Sequence, residues 1–317
     1  MKAGKARILV TGASGFIGRA LVPYLLEAGY AVRATSRTPE KLALEGIETA
    51  VLPPPDAPLE AFKALVAGCD HVVHLAAIAH AGRQQATAAY EAVNRRLAEK
   101  LAEAAHGTIA GKFVFISSIR AQCGPVRDGI VRETDPAQPE DDYGRAKLAA
   151  EKAIAGIFAD TGKFTILRPV LVYGAGGRGN VGMLIRLAHL PLPLPFAGLD
   201  AKRSLIDRRA LCEAILHAIR EPRTNSGTYL VADAAPLSVA EIIAAVRMGL
   251  GRRAALFPLP QSWLTRLAGL TGQSRRWQAV TGGLVASPLL LEATGWHPPE
   301  DTFRRIAECV RPERPTD

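Results

Sequence analysis

Three glycines at three-residue intervals, Gly12, Gly15 and Gly18, follow the apolar run Ile8-Leu9-Val10. They precede residues 19–26, whose leucines fall on one helical face. That order reads as strand, tight turn, helix. Gly12 permits the turn, Gly15 lets main chain approach a diphosphate, and Gly18 brings the helix close to its strand. The free N–H groups of the helix N-terminus then face the negative charge. The spacing differs from the common Gly-x-Gly-x-x-Gly fingerprint, and glycines alone also fit an ordinary turn. Their place between a first strand and a first helix is what points to a dinucleotide.

Strands and helices alternate from there, as a parallel α/β sheet requires. Residues 31–35, 47–52, 71–77 and 112–118 read as strands, and 59–67 and 86–105 as helices. A chain of 317 residues can bury one large α/β domain with a smaller appendage. The second strand ends at Ser36-Arg37, where a dinucleotide fold reads its ribose. A hydroxyl and a guanidinium suit the 2′-phosphate of NADP(H) better than the bare hydroxyl of NAD(H), unless Arg37 stacks on adenine or faces water. Ala76 and Ala77 would let a cofactor lie against main chain, and His74 reads as a core histidine rather than a catalyst. Asn94 lies among Val93, Leu97 and Leu101, either a surface amide or a buried one bonded to main chain.

Charge and cysteines narrow the partners. Lys plus Arg number 39 against 30 Asp plus Glu, which favours an anionic ligand, but no block of five basic residues supports nucleic acid. No apolar stretch approaches a membrane span, so no integral membrane segment is expected. Cys69, Cys123, Cys212 and Cys309 are scattered without ligand spacing, which reads as reduced thiols in a cytoplasmic protein and no metal site.

The strongest chemical spacing is Tyr143-x-x-x-Lys147 at the start of a helix, one helix after a strand ending in Ser117-Ser118. Four residues make about one helical turn, so phenol and ammonium project to one side. A neighbouring ammonium is expected to lower the phenol from its ordinary pKa of about 10.

With these residues in place, the chain resembles an extended short-chain dehydrogenase/reductase of the nucleotide-sugar epimerase/dehydratase family, in its UDP-glucose 4-epimerase-like branch. The carriers are Thr11-Gly-Ala-Ser-Gly-Phe-Ile-Gly18, His74-Leu-Ala-Ala77, Asn94, Ser117-Ser118, Tyr143-x-x-x-Lys147 and Arg168-Pro169-x-x-x-Tyr173-Gly174. The resemblance implies a Rossmann-type doubly wound parallel sheet at 1–172 with a smaller C-terminal α/β substrate domain at 173–317. Segments near 205–235 would return to the main sheet. It implies cofactor contacts at Gly12, Ser14, Gly15, Phe16, Ile17, Gly18, Ser36, Arg37, Leu75, Ala76, Ala77, Asn94, Tyr143, Lys147, Arg168 and Pro169. Ser118, Tyr143 and Lys147 take catalytic roles. Ser118, Arg178, Asn180 and Arg203 contact a nucleotide-diphosphate sugar, and a homodimer is the assembly to test.

Dehydratases of the family resemble one another in an adjacent Asp-Glu pair after the serine, where this chain has Ile119-Arg120. Arginine cannot shuttle a proton at neutral pH. A 4-epimerase or a 4-ketoreductase remains, the Ser36-Arg37 pair favouring reduction and the resemblance favouring epimerisation. A non-catalytic NADP-binding sensor or scaffold is the alternative, against which stands retention of all three catalytic residue types. Residues 254–285, with Trp263, Leu264, Leu267, Leu270 and Trp277 among Arg266, Arg275 and Arg276, read as a helical lid, as core packing or as a basic membrane contact.

Overall fold

The apolar run before the glycines becomes β1 (Arg7–Thr11), and α1 (Gly18–Glu27) starts at the third glycine. There follow β2 (Ala31–Ser36), β3 (Ile47–Val51), α2 (Leu59–Val66), β4 (His71–His74) and α3 (Ala86–Tyr90). A π-helical turn (Glu91–Arg96) leads into α4 (Leu97–Ala105), β5 (Phe113–Ile116) and β6 (Ile130–Val131). Next come α5 (Asp142–Ile157), β7 (Phe164–Pro169), β8 (Leu171–Tyr173), α6 (Gly179–His189), β9 (Leu205–Asp207) and α7 (Arg208–Arg220). The chain ends through β10 (Gly227–Val231), α8 (Val239–Gly249), β11 (Val285–Ala286), α9 (Leu289–Glu292) and α10 (Thr302–Cys309). The structure is a computed structural model, and it describes residues 5–36, 45–79, 86–177, 179–260, 262–263, 266, 277 and 281–311.

Seven parallel strands form one sheet in the order β10-β7-β5-β4-β1-β2-β3. The order runs outward in both directions from the β1/β4 pair, so a crevice opens at the carboxyl ends of those two strands. Strand alternation divides the core between the two faces. Ile8, Val10, Val114 and Ile116 pack with α1 and α7, while Leu9, Phe113 and Phe115 pack with α2, α4 and α5. A third core, with Tyr173, Leu184, Leu205, Ile242 and Ile306, lies among α6, α8 and α10. β8 and β9 form a separate two-stranded sheet, whereas β10 pairs with β7 in the main one.

The sequence reading differs from the structure at the ligand edge. The strands expected at 71–77 and 112–118 end at His74 and Ile116, and the residues beyond them are outside the sheet. The helix expected over 86–105 is broken by the π-helical turn, because Asn94 turns inward to bond the main chain of Ile78. In the stretch 254–285, the Trp277 ring packs 6.0 Å from that of Phe196, while Trp263 is 62% exposed. Leu264, Leu267, Leu270, Arg275 and Arg276 lie outside the described residues. Among the described residues no helix is long and apolar enough to cross a membrane.

Candidate active site

Gly12 takes a left-handed φ of +70°, and a Cβ there would stand 2.8 Å from the main-chain nitrogen of Ala76. Only glycine lets the β1 loop pass this close to the β4 loop. At Gly18 a Cβ would lie 2.6 Å from the Cα of Ala13, so α1 starts in contact with the loop that precedes it. The Gly15 N–H donates to Gly12 O at 2.9 Å, closing the turn. Ile17 precedes α1 and supplies no side-chain cap, which leaves the helix mouth open to an anion. Beside it, the Ser36 hydroxyl donates to that of Ser14 at 2.8 Å. Arg37 lies outside the described residues.

The opposite wall comes from β4 and the π-helical turn. Thr11 Oγ1 lies 2.7 Å from His74 Nδ1 and accepts from the Ala76 N–H at 3.3 Å. His74 is fully buried, stacked on Phe115, and burial together with Lys147 lowers it to about 3, so it is neutral at physiological pH. Leu75 and Ala76 pack into the two cores on either side, and Ala77 leads on to Ile78. Asn94, fully buried, accepts from the Ile78 N–H and donates to the Ile78 carbonyl, both at 2.9 Å. A π-turn at this point rotates one side chain inward that an unbroken α-helix would place elsewhere.

Ser118 and Tyr143 meet at the carboxyl end of β5. The Ser118 hydroxyl faces the Tyr143 phenol closely enough to ease its ionisation, and it accepts from the Arg120 N–H at 3.2 Å. Three further links set this register. Asp141 caps α5 by accepting from the Gly144 N–H at 2.8 Å, and its other oxygen receives the Arg120 guanidinium at 2.7 Å. A Cβ on Gly144 would drive into the carbonyl oxygen of Arg120. Gly144 was not among the residues singled out from sequence, although its place inside Tyr143-x-x-x-Lys147 was the available signal.

Lys147, one turn along α5, is 2% exposed and donates to the Ile116 carbonyl at 2.8 Å, its ammonium 4.6 Å from the Phe115 ring centre. Burial lowers it to about 7, with Glu151 opposing. The phenol departs from expectation: burial raises Tyr143 above its ordinary range, eased by the Ser118 hydroxyl. The Lys147 amine meanwhile lies over Phe115 and bonds the β5 carbonyl of Ile116.

The arginines divide. The Arg168 guanidinium is buried and committed to Glu151, with Nε to Oε1 at 2.9 Å, and to Gln122. That charge is therefore spent inside the protein. Arg203 is 8% exposed and donates to the carbonyls of Gly282 at 2.6 Å and Pro125 at 3.2 Å. Its Nε has no hydrogen-bond partner among the described residues, and burial with the nearby Arg120 lowers it to about 10. Arg178 lies outside the described residues, and only the backbone of Asn180, in the first turn of α6, is described.

Known proteins share this fold. The family model described as "NAD dependent epimerase/dehydratase family" matches residues 8–232. A UDP-glucose 4-epimerase of Vibrio cholerae is 32% identical over 95% of this chain and 94% of its own length. Among solved structures, the UDP-glucose 4-epimerase of Thermotoga maritima, determined with UDP-glucose, superposes with a TM-score of 0.75 at 20% identity, over 96% of this chain and 97% of that one. A UDP-glucuronic acid 4-epimerase of Bacillus cereus in complex with NAD superposes at 0.74 with 19% identity, over 96% and 94%. The glycine crevice between β1 and β4 and the Ser118–Tyr143–Lys147 wall beside it are thus set in a fold shared with these enzymes, and the chain belongs to the NAD-dependent epimerase/dehydratase family of extended short-chain dehydrogenases/reductases.

Proposed function

We propose that the protein is an NAD(P)-dependent enzyme acting at C4 of a nucleotide-diphosphate sugar, as a UDP-sugar 4-epimerase or a UDP-4-keto-sugar reductase. The observation that carries this is the Ser118 hydroxyl facing the Tyr143 phenol, with the buried Lys147 amine one turn on, beside the glycine crevice. The crevice fits a dinucleotide, since side chains at Gly12 and Gly18 would collide with main chain and the α1 mouth carries no cap. Gly12 to Gly18, Ser36, Arg37, Leu75 to Ala77 and Pro169 would hold it. When bound, the cofactor supplies the hydride acceptor and donor.

The chain's own residues handle the proton. Tyr143 gives or takes the proton of the sugar 4-hydroxyl, and Ser118 orients that oxygen through its own hydroxyl. Lys147, in its protonated form, keeps two N–H groups beyond its bond to Ile116, suited to ribose hydroxyls. Asn94 holds the Ile78 main chain and thereby the cofactor wall. Arg203, with Arg178 and Asn180, meets the diphosphate, consistent with its unpartnered Nε. Residues 173–317, apart from α7 and β10, form the substrate half. Ile119 and Arg120 supply no acid–base pair, so elimination of water is not proposed. The Ser36–Arg37 pair favours NADP(H).

The test is a panel of UDP-, GDP- and dTDP-sugars and their 4-keto forms, followed by nicotinamide absorbance and product stereochemistry. Net absorbance change identifies reduction, and inversion at C4 without it identifies epimerisation. A 4-keto-6-deoxy product would overturn the branch. Undiminished turnover by Tyr143→Phe would remove the proton-transfer assignment.

A further inference from the structure

The proposed chemistry leaves one cation beside the glycine crevice unused. Arg208 is the first residue of α7, and its guanidinium carbon lies 4.7 Å over the ring of Phe16, the residue two before Gly18. Its Nη1 donates to the carbonyl of Ala175 at 3.1 Å. A Cβ on Gly174 would stand 3.1 Å from Arg208 Cβ and 3.6 Å from Phe16 Cζ, so the strap 174–177 lies against both. The Gly177 N–H donates to Gly174 O at 3.1 Å, which keeps that strap turned.

Three pieces of chain distant in sequence therefore close on one another at the mouth of the crevice: the glycine turn, the strap after β8, and the start of α7. The α7 end is a fixed platform. Asp207 caps it through the Arg209 and Ala210 N–H groups at 2.7 and 3.0 Å, and the Asp207 N–H is itself held by Asp233 at 3.1 Å. A planar guanidinium on a rigid helix start can stack on an aromatic face and donate in its own plane at once, which an ammonium does less well.

We propose that Arg208 is a positioning residue that clamps the dinucleotide crevice: stacked on Phe16 and bonded to Ala175, it ties the glycine turn to the strap and sets how long a bound nicotinamide cofactor stays. The proposal rests on the dinucleotide reading above and extends it. A clamped cofactor suits recycling in place over exchange at each turnover, which favours the epimerase half of the proposed function.

Release of NADPH and NADH from the full chain, followed by nicotinamide fluorescence in stopped flow, tests it. Arg208→Ala and Phe16→Ala should each speed release about five- to tenfold, the size of a partly buried cation–π contact. The double variant should be no faster than either single one, because both break one contact. Arg208→Lys should fall between, and Arg209→Ala, an exposed neighbour paired with Glu213, should leave release unchanged. Melting curves confirm that each variant is folded; should Arg208→Ala fail to fold, Arg208→Lys and Phe16→Leu carry the test with at least a twofold acceleration. Release within twofold of the parent in every folded variant, or additive effects in the double variant, would overturn the clamp. Failure of the parent chain to bind either dinucleotide would instead remove the cofactor reading, and the clamp with it.

Discussion

The two ends of β5 each carry a buried lysine, and the difference between them separates structure from function. Lys112 precedes the strand, is 6% exposed, and spends its ammonium on Ala218 O at 2.8 Å, Glu221 O at 2.5 Å and Thr224 Oγ1 at 2.8 Å. Those acceptors lie at the carboxyl end of α7, where a cation also meets the favourable end of the helix dipole. Lys147 reaches the other end of the strand and has the single Ile116 carbonyl as its hydrogen-bond acceptor among the described residues. Burial lowers both, Lys112 to about 8 and Lys147 to about 7. A buried ammonium with all three donors matched is a tie between β5 and α7. One with donors left over, beside a crevice, is poised for a ligand.

The largest expected effect breaks the pair apart by function. Lys147→Met should lower turnover about a thousandfold, within the range of lost general acid–base assistance, while the apo chain melts no lower than its parent. Lys112→Met should leave kcat within a few-fold but cost about 1–2 kcal/mol in urea unfolding, the size of lost buried hydrogen bonds. Equal loss of turnover in both variants would erase the distinction.

An intermediate effect probes the register of the active end. Gly144→Ala pushes a methyl group against the Arg120 carbonyl and so parts Ser118 from Tyr143. Turnover should fall about ten- to a hundredfold with little change in cofactor affinity, as misplacement of reacting groups does. A steady-state assay beside a fluorescence titration measures both.

The smallest effect is the pH dependence of stability. Between pH 7 and 8.5 the unfolded chain keeps protons on both lysines that the folded chain has begun to release, since both folded values are depressed. Both lysines therefore add stability as pH rises across that window, by up to about 1.4 kcal/mol per pH unit for each group, and their own contribution fades below about pH 6, where both are protonated. Toward the upper end of the window the four cysteines, whose raised values act in the opposite sense, offset part of that rise. In Lys147→Met the slope of unfolding free energy against pH should drop to roughly half or less. An unchanged slope would mean that Lys147 is already solvated.

Much of the ligand edge was legible because it is written in local patterns. The glycine turn, the Tyr143/Lys147 spacing, the apolar strands and the polar end at Ser117-Ser118 each occupy a few consecutive residues whose backbone preferences act on the spot. Asn94 stood out only as an amide among apolar residues, and its inward turn depends on a π-helical step set by Ile78 sixteen residues away. Arg168 looked like a cofactor contact, yet Glu151 and Gln122 absorb its charge.

The sequence alone determined the alternation of strand and helix, the need for glycine at the first turn, and the one-turn spacing of phenol and amine, since all three follow from steric and helical periodicity along the chain. Tertiary structure decided which cations are spent and which are spare: Lys112 meets acceptors more than a hundred residues distant, Arg203 meets the carbonyl of Gly282, and Arg208 meets Phe16. The partner of a long charged side chain is whatever folding brings within about 3 Å, and its protonation follows from that neighbourhood.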